Sequence, residues 1–233
     1  MRGRKWIYSM PISETYNLDV MEYLKGVESG AFDLAICDPP YNIVSQQKRG
    51  IGSRIDKTGK MNDWNGKVPD SAFFNEIFRI SKNQIIWGAN NFTLPPTEYF
   101  CIWNKHQTVP NFASAEYAWV SPGLKQPALV FEMGIHAHNS SINRIHPTEK
   151  PVALYKWLLQ NYARPGDKIF DPMMGSQSSR IAAWDMGFDY VGCERDADYF
   201  KDGEARFKKH VANKTTLFAP EQMYNFEQTK LEL

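Results

Sequence analysis

Phe32-Asp33-Leu34-Ala35-Ile36-Cys37-Asp38-Pro39-Pro40-Tyr41 is a short apolar run that ends in a carboxylate, two prolines and an aromatic ring. The stretch from Phe32 to Cys37 has the length and turn-bounded composition of a buried strand. Neither Pro39 nor Pro40 can donate to a ladder, and both fix φ, so the strand stops there. Asp38, the two prolines and Tyr41 therefore sit at the carboxyl edge of a sheet, where open α/β sheets bind ligands. The set suits a planar base carrying an exocyclic amine. Asp38 and the Pro39 carbonyl accept from its two N–H bonds, and Tyr41 offers a stacking face. Taken alone, the four residues also fit a plain strand-to-turn junction.

Working outward, the elements alternate. Ahead of this strand, Tyr16 to Asp19 reads as a strand end meeting a turn, and Val20, Met21 and Leu24 recur at helical spacing. Beyond it, Asp70 caps a helix with Phe73, Phe74, Ile77, Phe78 and Ile80 on one face. Strands are expected over Asn83 to Trp87, Tyr99 to Trp103 and Ala115 to Val120. Pro151 opens a helix bearing Val152, Tyr155, Leu158, Leu159 and Tyr162. A strand ending in Asp171 then leads through Gly175 into a helix stopped by Gly187, and a strand from Tyr190 ends at Glu194. Asp196 caps the last helix, and a tail is expected after about 212. This alternation predicts a single α/β domain with a mostly parallel sheet.

Two stretches interrupt the pattern. Residues 42–67 carry six basic side chains, Lys48, Arg49, Arg54, Lys57, Lys60 and Lys67, against Asp56 and Asp63. That excess of four exceeds the net charge of the whole chain, +1. A long basic loop leaving directly from Tyr41 reads as a mobile arm on phosphates, and on composition alone equally as a solvated insertion. Residues 104–145 are irregular, and Lys105, His106, Lys125 and Arg144 there are placed to face a polyanion.

The near-neutral charge excludes a global basic field, so any nucleic-acid surface is local. Cys37, Cys101 and Cys193 are odd in number and lack a C-x-x-C pair, which speaks against a disulfide framework and a structural zinc. No metal site is expected. No stretch reaches the roughly 20 apolar residues of a membrane span, so a soluble cytoplasmic protein is the expectation.

Asp171 and Glu194, 23 residues apart at the ends of two strands, have the spacing of a nucleotide site in which the second acid reaches ribose hydroxyls. There is no G-x-G-x-x-G, and Ser176-Gln177-Ser178 is a poor pyrophosphate cradle. A ligand with a ribose and no phosphate, such as S-adenosylmethionine, fits better than NAD.

Four motifs together resemble those of the amino-methylating DNA methyltransferases: Asp38-Pro-Pro-Tyr41, His146-Pro-Thr-Glu-Lys-Pro151, Phe170-Asp-Pro-Met-Met-Gly-Ser176 and Val191-Gly-Cys-Glu194. They stand in the permuted order of the beta group, catalytic motif first, and cover roughly residues 14–210. The resemblance implies a seven-stranded, doubly wound, Rossmann-like domain that binds S-adenosylmethionine and double-stranded DNA. It implies Asp38, Pro39, Pro40 and Tyr41 around a flipped adenine. It places Asp171, Pro172, Met173, Gly175, Ser176, Glu194, His146, Thr148 and Lys150 around the cofactor. Lys48, Arg49, Arg54, Lys57 and Lys60 would contact DNA, and residues 104–145 would form a small recognition region. Such short members resemble solitary or phage-borne modification enzymes without an obligate nuclease partner, and homodimerisation stays open. The amino group of cytosine, an RNA adenine or a catalytically silent subunit remain as rivals. Family members usually have glycine where Gln177 stands, and its side chain is expected to point away from the cofactor.

Overall fold

The computed structural model describes residues 10–40, 68–108, 113–126, 128–134, 145–146 and 148–215. One eight-stranded sheet runs through them, built from β1 (Ser13–Tyr16), β2 (Phe32–Cys37), β3 (Ser81–Trp87), β4 (Phe100–Asn104), β5 (Ala115–Val120), β6 (Leu129–Glu132), β7 (Lys168–Asp171) and β8 (Asp189–Cys193). The order across the sheet is β1-β8-β7-β2-β3-β5-β4-β6. Only β5 runs against its neighbours; every other pairing is parallel.

Among the described residues, five α-helices cover the two faces: α1 (Val20–Leu24), α2 (Ser71–Ile80), α3 (Val152–Tyr162), α4 (Ser178–Met186) and α5 (Ala197–Thr215). Alternation along the strands sends Leu34, Ile36 and Ile85 toward Leu154, Leu158 and Ala182 of α3 and α4. It sends Ala35, Cys37 and Ile86 toward Leu24, Phe73 and Ile77 of α1 and α2. Burying both faces of the parallel strands explains why β2 reads as a nearly continuous apolar run. The expected helix starts are capped by side chains: Asp19 accepts from the Met21 N–H at 2.9 Å, and Asp70 from the Phe73 N–H at 3.1 Å. Asp196 Oδ1 accepts from the Asp198 and Tyr199 N–H groups at 2.9 and 3.0 Å. Each such cap contributes about 1 kcal/mol.

Two expectations are corrected. The sheet has eight strands rather than seven: β6, inside the stretch read as irregular, is short, lies at the sheet edge and alternates half-buried with exposed residues. It is fixed by tertiary contacts, including the Trp103 Nε1–H donated to the Met133 carbonyl at 2.9 Å. The last helix continues to Thr215, past the expected tail start at 212.

The sheet has one reversal of direction that matters. From β2 the chain passes through α2 to β3 on one side, whereas from β7 it passes through α4 to β8 on the other. The carboxyl ends of β2 and β7 therefore flank a topological switch point, the crevice where doubly wound sheets bind ligands.

Candidate active site

Asp38 follows β2 directly and Asp171 ends β7. The two strands pair in parallel, Leu34 with Ile169 and Ala35 with Phe170, so both carboxylates emerge at the same edge. Residues 133 positions apart in sequence thus face one crevice, as the motif order implied.

The cofactor-type half lies on β7, β8 and the turn between β7 and α4. Asp171 is buried; its Oδ1 accepts from the Met173 N–H at 3.0 Å and its Oδ2 from Ser179 Oγ at 2.5 Å. Burial pushes its carboxyl up to about 7, with Ser179 and Met173 pulling the other way and Asp38 and Glu194 adding to the rise. Glu194 Oε2 accepts from the Gly175 N–H at 3.0 Å and Oε1 from the Asp196 N–H at 2.8 Å. Burial raises this carboxyl too. Its backbone is held by β1: Glu194 N–H donates to Tyr16 O at 3.0 Å, and Asn17 Nδ2 donates to Glu194 O at 2.8 Å.

Gly175 adopts φ +46, and a Cβ there would come within 3.4 Å of the His146 ring. His146 packs edge-on to Tyr199, with ring centroids 4.4 Å apart, and its Nδ1 lies 3.2 Å from Thr148 Oγ1. His146 therefore stands beside the Gly175 turn, with Thr148 against its ring. Ser176 and Pro172–Met173 lie in the same turn; Ser176 is buried, its Oγ 3.1 Å from Ser178 Oγ.

Lys150 goes elsewhere. Expected beside the cofactor, its ammonium sits 2.5 Å from Asp38 Oδ1 and 3.1 Å from Glu116 Oε2, with only 3% of the side chain exposed. Glu116 is also paired with Lys105. Lys105, expected to face a polyanion, is turned inward, and His106 pairs with Glu132 at 2.5 Å. Burial raises the Asp38 carboxyl, with Lys150 pulling it down and Glu116 adding to the rise. Glu116 is held at about 2: burial opposes ionisation there as well, but two lysines outweigh it. The two acids part because Asp38 has one close cation and further carboxylates nearby.

The sequence reading missed Glu116 and Arg206. Glu116 is the one acid in β5, a strand otherwise apolar, and that isolation was its only signal. Arg206, on α5, donates to Ser176 O at 2.7 Å and Ser178 Oγ at 2.9 Å and pairs with the buried Glu149 at 3.0 Å. It ties the Gly175 turn to the segment carrying Lys150. Tyr41 and the basic arm residues Lys48, Arg49, Arg54, Lys57 and Lys60 lie outside the described residues, as does Arg144.

A family model described as DNA methylase, of the N6/N4 methyltransferase type, matches residues 73–205. The chain belongs to the DNA methylase family. This methylase is 23% identical to Type II methyltransferase M.HinfI of Haemophilus influenzae, over 84% of this chain and 68% of that one. It is 25% identical to the putative methylase YubD of Escherichia coli (strain K12), over 81% of this chain and 87% of that protein. Among solved structures it resembles an M1.HpyAVI complex with S-adenosylmethionine at a TM-score of 0.55 and 17% identity, covering 84% of this chain and all (100%) of that one. It also resembles the cytosine-N4-specific PvuII DNA methyltransferase at a TM-score of 0.57 and 14% identity, covering 90% and 94% of the two chains. At these identities the structural likeness establishes the fold: a Rossmann-like methyltransferase sheet. Family membership makes the chain an amino-methyltransferase of DNA.

Proposed function

We propose that the methylase transfers a methyl group from S-adenosylmethionine to the exocyclic amino group of adenine in double-stranded DNA. The observation that carries this reading is the pairing of β2 with β7, which sets the Asp38 acceptor beside the Asp171–Gly175–Glu194 turn. The donor set fits the cofactor. A buried and a half-buried acid, each with its ionisation opposed by desolvation, suit an ammonium group and ribose hydroxyls, and the bare Gly175 backbone leaves room that a Cβ would take against His146. Asp171 and the Gly175–Ser176 backbone would hold the methionine end, Glu194 the ribose, with His146 and Thr148 alongside.

When bound, the cofactor supplies an electrophilic methyl group on a sulfonium. Asp38 accepts one N–H of the amine and the Pro39 carbonyl the other, which turns the nitrogen lone pair toward the incoming methyl. As the new N–C bond forms, the methyl group's bond to sulfur would break with its electron pair left on a neutral thioether, and the nitrogen, now cationic, must lose a proton. The Asp38 carboxyl, raised by burial, is suited to take it. Cys37 is fully buried with its thiol pushed far up, so the reaction proceeds without a covalent nucleophile. The amine lies inside the duplex, so the base must be extruded, and Tyr41 supplies the stacking face.

Adenine is favoured because the Asp-Pro-Pro-Tyr pattern resembles that of adenine enzymes, whereas cytosine-amino enzymes more often begin the motif with serine. The test pairs Asp38→Ala with nucleoside mass spectrometry of methylated duplex. N6-methyladenine should form with the native protein. The variant should lose transfer by roughly 2–4 kcal/mol of barrier while keeping cofactor affinity within a few fold. Native-level turnover in the variant would remove Asp38 from the reaction, and N4-methylcytosine as the sole product would reassign the base.

A further inference from the structure

Four charged side chains form an unbroken line from the catalytic motif into the sheet: Asp38, Lys150, Glu116 and Lys105. They come from four segments: the end of β2, the loop before α3, β5, and the residue after β4. All are largely buried, with side-chain exposures of 15%, 3%, 16% and 15% in that order. Lys150 and Lys105 also lie near the indole rings of Trp87 and Trp103, 5.7 and 5.0 Å from the centroids. Such a line has a cost in desolvation that a purely structural core would avoid.

We propose that Lys150 is a positioning residue for Asp38: its ammonium holds Oδ1 and leaves Oδ2 to accept from the exocyclic amine, while Glu116 holds that ammonium from the other side and is itself held by Lys105. The inference rests on the amino-methyltransferase reading above. Two features of the geometry require both halves of the line. A carboxylate with neither oxygen tethered can rotate, and it loses the orientation that in-line transfer needs. A lone lysine 2.5 Å from Asp38 would oppose the positive charge developing on the reacting nitrogen. Glu116, 3.1 Å from the same ammonium, offsets that positive charge, and the four charges alternate in sign along the line. Asp171, Tyr155 and Cys37 also face Asp38 and contribute to its electrostatic setting.

The test follows kcat against pH for methyl transfer, alongside cofactor affinity by calorimetry. Lys150→Met removes a cation from Asp38, so the acid limb should move to higher pH and kcat at neutral pH should fall about tenfold or more. Glu116→Gln removes an anion, so the limb should move to lower pH while kcat on the plateau falls. Cofactor affinity should hold in both. If Lys150→Met does not fold, the double variant Lys150→Met/Glu116→Gln removes one charge of each sign and keeps the balance; its plateau kcat should stay low for want of the tether. An active native protein with an unchanged pH profile and kcat in these variants overturns the inference. So does a tenfold loss of cofactor affinity in Lys150→Met with an unmoved acid limb, which would return Lys150 to the cofactor. If the native protein transfers no methyl group, the function proposed above fails instead. Carbon-13 NMR titration of the Asp38 carboxyl in the cofactor-free protein, assigned by its loss in Asp38→Asn, then decides the inference alone. Opposite shifts in the two single variants uphold it, and no shift ends it.

Discussion

Gln177 and Gly203 share one volume: a Cβ on Gly203 would stand 2.7 Å from Gln177 Cγ. Gln177 lies in the turn before α4 with φ +60, and its fully buried side chain is directed at α5, not at the Gly175 side of the turn. Its Nε2 donates to Glu204 Oε1 at 3.2 Å, and its Oε1 accepts from Arg180 Nη1 at 2.9 Å. A non-glycine residue in the left-handed region costs roughly 1–2 kcal/mol, and the packing and hydrogen bonds around the amide offset it.

The signs of three substitutions follow. Gly203→Ala in a helix interior normally stabilises by about 1 kcal/mol, but here it should destabilise, because the new methyl collides with Gln177. Gln177→Gly relieves φ yet removes the buried amide, so Tm should fall while cofactor affinity stays within about twofold. In the Gln177→Gly background, Gly203→Ala should regain its usual stabilising sign. Thermal denaturation of the four proteins measures this coupling. Additive effects would contradict the shared volume, and a tenfold gain in cofactor affinity for Gln177→Gly would place the side chain in the pocket instead.

Binding of S-adenosylmethionine should release a proton at slightly acidic pH. Asp171 is raised to about 7 by burial, so below that pH it is protonated in the free protein. A cationic ammonium group beside it favours the ionised form and expels the proton. Affinity should therefore rise with pH, by at most about tenfold per unit, and level off above 7. The folded-state value exceeds the unfolded one, so this group's stabilisation of the free protein is full below about 4 and is lost as pH rises through 7. Calorimetry in buffers of differing ionisation enthalpy counts the proton. An Asp171→Asn variant should show no release, and a pH-independent affinity in the native protein would rule the linkage out.

Binding to duplex DNA should be strongly salt-dependent through Lys48, Arg49 and Arg54. Replacing all three with alanine should weaken binding similarly across sequences and flatten the plot of log affinity against log salt by roughly one unit per lost phosphate contact. An unchanged slope would remove these residues from the DNA interface.

Much of this protein was legible in one dimension, and for a physical reason. Strand β2 and helix α2 are specified locally: the apolar run Phe32–Cys37, the proline stop and the Asp70 cap each act on their immediate neighbours. The strands of Asp38, Asp171 and Glu194 could be recognised because prolines, glycines and acids punctuate them at fixed offsets. What local chemistry does not specify is where long or adaptable side chains end. Lys150 reads like an ordinary residue near a helix start, yet its four-carbon stem carries the ammonium to Asp38, and Glu116 becomes its partner only because β5 pairs with β3, next to β2. Gln177 breaks a glycine pattern in sequence, and only the docking of α5, with Gly203 opposite, makes its conformation tolerable. Edge strand β6 has too few buried positions to announce itself and exists because β4 offers it a ladder. Sequence sets what its near neighbours can enforce; charge pairing across the crevice and packing between distant helices are set when the sheet assembles.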